Sequence, residues 1–158
     1  MLDVTLSTFI NEDNPQWLIL LFIPAAFSFV CPTEVLAFQN CLDEFKDRGC
    51  AVAFVSVDTK HSLWHWQNVP QQYGGLGNIS IPLLSDPSHK MSRDYGVLIE
   101  SEGICLRGMF VLDNTAIVQQ VSVILREAWS MLMMTWCITG NFEQPCRWSF
   151  GFGSLAPT

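Results

Sequence analysis

The sequence predicts an α/β fold, a mixed central sheet flanked by helices, on three observations. Two apolar runs of strand length, Trp17 to Ile23 without a break and Cys50 to Val57 interrupted only by Ser56, are each followed by a helical pattern. A later pair of alternating runs is joined by a turn at Asn114. Strand, helix, strand, helix implies parallel pairing, whereas a tight turn implies an antiparallel pair.

The first run has no polar residue before Pro24, which suits a central strand covered on both faces. After Cys31-Pro32-Thr33-Glu34, the apolar positions Val35, Leu36, Phe38, Leu42 and Phe45 recur at three- and four-residue spacing. That predicts one amphipathic helix closed by Gly49, with Pro32 and Glu34 where a helix start prefers them. The second run is a buried strand, and Asp58 and Thr59 turn into a helical segment from Lys60 to about Tyr73. Gly74-Gly75-Leu76-Gly77 predicts a flexible break, Ile81 to Ser85 a short strand, and Asp86 to Tyr95 a short helix stopped by Gly96. Met109 to Asp113 and Ala116 to Val123 form the hairpin. Arg126 to Trp136 could form one more helix, and beyond it Gly140, Pro145, Gly151, Gly153 and Pro157 favour irregular structure.

Composition narrows the function. The 158 residues suit one globular domain, and a net charge of -7 with only 8 scattered Lys+Arg argues against a nucleic-acid partner. Trp17 to Val30, the longest apolar stretch, contains Pro24 and falls short of the roughly 20 residues that cross a bilayer, so no membrane partner is expected. Neither a secretory signal nor an Arg-rich presequence is legible at the start, so a reducing, cytoplasmic setting is expected. Six cysteines without a C-x-x-C pair leave any thiol chemistry to single, separated cysteines, and His61, His65 and His89 are isolated, so neither a metal nor a cofactor is expected. Only two charged residues, Glu143 and Arg147, follow Glu127, so the tail differs in composition from the body.

Cys31 stands at the first turn of the predicted helix. There the unpaired helix N–H groups and the positive end of the helix dipole favour a thiolate, the nucleophilic form. Alternatively it is a buried structural thiol. The pattern P-x-x-x-[TS]-x-x-C followed by P-T-E, met here as Pro24, Ser28, Cys31 and Pro32-Thr33-Glu34, resembles the peroxiredoxins, in particular their typical two-cysteine branch. Ser56-Val57-Asp58, Trp66, Gly74 to Gly77, Ile81 to Asp86, Asp94 to Val97 and Leu106 to Phe110 recur in the same order in that family.

The resemblance implies a thioredoxin-like fold over residues 1–123, with 124–158 a divergent, charge-poor segment. It implies a thiol-dependent peroxidase acting on hydrogen peroxide or organic hydroperoxides, with Cys31 as the peroxidatic cysteine that becomes a sulfenic acid. Ser28 would hydrogen-bond thiolate and peroxide, Pro24 would shield the sulfur from water, and Arg107 would stabilise negative charge, oriented by Glu34. Taken alone, Ser28 is equally a turn residue and Glu34 a helix-start residue, whereas Arg107, set among Ile104, Leu106, Met109 and Phe110, needs a specific partner. Trp66 reads as core packing.

Ile23 and Ala26 replace a tyrosine and an aspartate common beside the family's active-site proline, so a more apolar pocket is expected. The chain begins about thirty residues later than the family pattern, which leaves a mitochondrial setting open if a presequence is missing. After Val123 the family pattern is lost. Cys146 is the candidate resolving cysteine, although it comes early and lacks a following proline, and Cys137 is a weaker one. The resemblance also implies thioredoxin or another thiol as reductant and a homodimer or higher oligomer. The competing reading is a catalytically impaired peroxiredoxin-like interaction or holdase protein, its apolar tail driving association.

Overall fold

A computed structural model describes residues 6–10 and 16–124. The expected helix at Arg126 to Trp136, the irregular segment after it, and Cys137 and Cys146 lie outside the described residues.

A short helix α1 (Leu6–Phe9) precedes β1 (Trp17–Phe22), which takes the centre of a five-stranded sheet. The cysteine-led segment forms α2 (Cys31–Asn40) and α3 (Leu42–Asp47), and β2 (Cys50–Ser56) returns parallel to β1. Next come α4 (Lys60–Asn68), β3 (Leu83–Ser85), which pairs parallel to β2, and α5 (Lys90–Asp94). A two-stranded antiparallel ribbon, β4 (Leu98–Ile99) and β5 (Ile104–Cys105), leads into the hairpin of β6 (Arg107–Leu112) and β7 (Val118–Ile124). The order is β3-β2-β1-β6-β7, with β6 antiparallel to β1. The sheet is therefore mixed and flanked by helices, as the sequence predicts.

Burial on both faces of β1 explains its unbroken apolarity. Ile19, Leu21 and Ile23 face one core with Val35, Phe38, Phe45 and Trp66, while Leu18, Leu20 and Phe22 face the other with Val97, Cys105 and Phe110. Removing each such side chain from water contributes about 1.5–3 kcal/mol. Aromatic rings lock both layers: Phe38 meets Phe54 edge-on with ring centroids 5.5 Å apart, and Tyr95 meets Phe110 likewise at 4.8 Å.

Three local expectations change. The single helix from Cys31 is two, because at Cys41 the backbone leaves helical geometry (φ -100°, ψ 8°) and turns Leu42 and Phe45 into the core. The segment to Tyr73 breaks at Val69-Pro70, since proline holds its predecessor extended, and continues as a 3-10 turn over Gln71–Tyr73. The glycine-rich break is a packed return: Gly75 and Leu76 are buried, and the Leu76 N–H donates to the Trp66 carbonyl at 3.0 Å. Trp66 is core, as expected, and its Nε1 donates to the Gly74 carbonyl at 3.0 Å. Neither α1 nor the β4–β5 ribbon is expected from the sequence, being too short for a periodic signal. Among the described residues, no helix is long and apolar enough to cross a membrane.

Candidate active site

The carboxyl end of β1 and the start of β6 lie side by side, because Phe22 pairs with Gly108. Alternation along β6 then decides where Arg107 points. Met109 and Val111 belong to the α2-side core and Phe110 and Leu112 to the opposite one, so Arg107 shares the α2 face. On α2, Cys31 and Glu34 are three residues apart and so lie on one face. The two elements meet there. Arg107 Nε donates to Glu34 Oε1 at 3.2 Å and Oε2 at 3.3 Å, and Arg107 Nη2 donates to Cys31 Sγ at 3.6 Å.

All three groups are sequestered. Cys31 is fully buried, the Glu34 side chain has no exposed surface, and that of Arg107 is 13% exposed. Low dielectric strengthens this ion pair and equally raises the cost of breaking it. Arg107 thus has the partner its apolar surroundings demand. The other buried cysteines among the described residues, Cys50 and Cys105, have different neighbours. Burial pushes the Cys50 thiol up to about 12 and also raises that of Cys105, whose Sγ meets the Ser92 hydroxyl at 3.1 Å. Neither sulfur has a guanidinium among these causes, and both suit inert core thiols.

The approach to Cys31 is a loop, residues 24–30, leaving β1. Ser28 Oγ accepts the Cys31 backbone N–H at 3.1 Å, so the hydroxyl faces the helix start. Pro24 is half-buried at the loop entrance, while Phe27 and Phe29 are exposed around it. Phe27 has a φ of 57°, in the left-handed region that phenylalanine rarely adopts. Ile23 is fully buried in the α2-side core, and Ala26 packs against that core.

One group with no expected role also reaches this loop. Asp58 Oδ2 accepts the Ala26 backbone N–H at 2.7 Å and the Ser56 hydroxyl at 2.6 Å. Ser-x-Asp after a buried strand was the available signal, but nothing local connects it to a loop 32 positions away. Of the expected site residues within the described part, Ser28, Cys31, Glu34 and Arg107 are linked by hydrogen bonds, and Pro24 stands just beyond the end of β1. Cys146 lies outside the described residues. Among the described residues, no group of three His, Cys, Asp or Glu side chains is placed to hold a metal.

A buried cysteine thus heads a helix beside a carboxylate-anchored guanidinium on a mixed sheet flanked by helices, an arrangement suited to thiol chemistry. Comparison with known proteins narrows the class. The family model described as AhpC/TSA matches residues 2–121. Peroxiredoxin TSA1 of Saccharomyces cerevisiae is 40% identical over 157 residues, covering 94% of this chain and 80% of the relative. The mitochondrial thioredoxin-dependent peroxide reductase of Mus musculus is 50% identical over 114 residues, covering 72% of this chain and 44% of the relative. Among solved structures, Plasmodium yoelii thioredoxin peroxidase I aligns with a TM-score of 0.75 at 34% identity, covering 85% of this chain and 75% of that one. The reduced 2-Cys peroxiredoxin of Plasmodium vivax aligns with a TM-score of 0.72 at 36% identity, covering 83% and 68%. The chain belongs to the AhpC/TSA family, the peroxiredoxins.

Proposed function

We propose that this chain is a thiol-dependent peroxidase that reduces hydrogen peroxide or small organic hydroperoxides at Cys31. The observation that carries the reading is the Arg107 guanidinium, fixed on Glu34 and 3.6 Å from the Cys31 sulfur. In the reaction the Cys31 thiolate attacks one peroxide oxygen and forms an S–O bond. The O–O bond breaks, its electron pair goes to the departing oxygen, and that oxygen takes a proton to leave as water or alcohol. Sulfur is oxidised to the sulfenic acid and the peroxide is reduced. Arg107 stabilises the negative charge moving from sulfur to the departing oxygen, Ser28 offers a hydroxyl beside the helix start, and Pro24 limits water at the entrance.

The sulfenic acid is then reduced by thioredoxin or another thiol, a reading supported by relatives named thioredoxin peroxidase and thioredoxin-dependent peroxide reductase. Cys146, in the divergent segment 124–158 that follows the core 1–123, is the candidate resolving thiol. A homodimer or higher oligomer is supported by β7, an edge strand with Val118, Val121 and Val123 exposed. The cytoplasm is the proposed compartment, with mitochondria as the alternative that relatives of mitochondrial name support. A role confined to interaction or client holding is disfavoured, because these relatives are named as peroxide-reducing enzymes.

Stopped-flow peroxide consumption by the wild type and Cys31→Ser tests the reading: loss of the fast phase in the variant supports it and equal rates sink it. Intact mass and peptide mapping after one equivalent of peroxide tests Cys146. A Cys31–Cys146 disulfide supports its role, and an oxyacid confined to Cys31 overturns it.

A further inference from the structure

We infer that Asp58 is a positioning residue for the peroxide-binding loop, acting through the backbone of Ala26; this rests on the reading of Cys31 as the attacking thiol. Two hydrogen bonds tie the end of β1 and the loop after it to the end of β2 and the turn that follows. The Ile23 N–H donates to the Val55 carbonyl at 2.9 Å, and the Ala26 N–H donates to Asp58 Oδ2 at 2.7 Å. The first continues the β1–β2 pairing. The second is made by a side chain and comes immediately before Phe27, whose φ of 57° reverses the chain. A left-handed non-glycine residue persists only where its surroundings over-determine it, and the Asp58 bond is the restraint on its amino-terminal side. On its carboxyl side stands Ser28, whose hydroxyl accepts the Cys31 N–H at 3.1 Å.

Asp58 is itself held by three hydrogen bonds to two serines. The Ser56 hydroxyl donates to its Oδ2 at 2.6 Å, its own N–H donates to Ser56 Oγ at 3.2 Å, and its carbonyl accepts the Ser85 hydroxyl at 2.6 Å. The carboxylate is therefore a fixed post at the junction of β2 and β3. Because it grips a main-chain N–H, the clamp is indifferent to the side chain at position 26, so alanine serves there. Arg107 and Glu34 take no part in these bonds. Asp58 should therefore set where the Ser28 hydroxyl and Pro24 meet the peroxide, and the hydrogen bonds that join Arg107 to Glu34 and to the Cys31 sulfur do not pass through it.

The test is peroxide consumption across pH for wild type, Asp58→Ala, Asp58→Asn, Ser28→Ala and Asp58→Ala/Ser28→Ala. Asp58→Ala should lower the peroxide rate constant by on the order of tenfold to a hundredfold, the scale expected of a small misplacement of reacting groups. The pH profile should keep its shape. Asp58→Asn, which keeps an acceptor oxygen for the Ala26 N–H, should recover most of the rate, and the loss in the double variant should match that of Ser28→Ala alone. A changed pH profile in Asp58→Ala, multiplying losses in the double variant, or no recovery in a folded Asp58→Asn would overturn the inference. A reactive wild type with an equally reactive Asp58→Ala overturns it alone, whereas an unreactive wild type removes the reading of Cys31 as well.

Discussion

Arg107 and Glu34, 73 positions apart in the chain, form a buried ion pair whose free guanidinium nitrogen lies 3.6 Å from the Cys31 sulfur. Only arginine has a planar fork able to hold a carboxylate with one nitrogen and present another to a thiolate. Arg107→Lys keeps the charge but cannot span both partners, and its peroxide rate should fall by on the order of a hundredfold with the fold retained. Arg107→Ala should also lose about 3–5 kcal/mol of unfolding free energy, since it breaks a buried ion pair by removing one of its members. Stopped-flow rates and urea unfolding on both variants separate the two effects.

Gly75 tests the packed return after α4. A Cβ built there would run into the Val69 carbonyl and side chain, atoms held by the backbone itself. Gly75→Ala should destabilise the fold by at least about 1–3 kcal/mol, as overpacking does. Gly74→Ala, with nothing within 4 Å of its added Cβ but a φ of +80°, should cost about 1–2 kcal/mol through backbone strain alone. Thermal unfolding of the pair checks the order.

Asp113 organises the turn between β6 and β7. Hydrogen bonds from the Thr115 hydroxyl and the Ile117 N–H are the main reasons that its carboxyl is lowered from 3.8 to about 2. A depressed folded pKa contributes stability above the unfolded value, and that contribution is lost as pH falls through the folded one. The urea midpoints of wild type and Asp113→Ala should therefore differ by a constant amount above about pH 5 and converge as pH falls through 3.8 towards about 2.

The outer edge of β7 should be where copies of the chain meet. Val121→Lys introduces a charge on an exposed edge strand, a device that blocks edge-to-edge pairing. Sedimentation velocity should show a lighter species for the variant than for the wild type at the same concentration. An unchanged distribution would remove β7 from the interface.

Local chemistry and periodicity make several elements of this fold legible along the chain. The unbroken apolarity of Trp17 to Phe22 requires cover on both faces, and β1 has it. Cys31 followed by Pro32 marks a thiol at a helix start, and α2 begins there. The turn at Asn114 marks a hairpin, and β6 and β7 pair antiparallel across it. Tertiary structure alone decided which distant groups meet. That Arg107 faces Glu34 follows from the pairing of Phe22 with Gly108, and a slip of one residue would turn the guanidinium to the opposite face. That Asp58 grips Ala26 follows from the β1–β2 register, which sets Phe22, the last residue of β1, opposite Val55. The break at Cys41 and the burial of Gly75 likewise come from neighbours remote in the chain. The physical reason is the same in each case: propensity and periodicity act over a few residues, whereas sheet register brings together groups that local sequence does not connect.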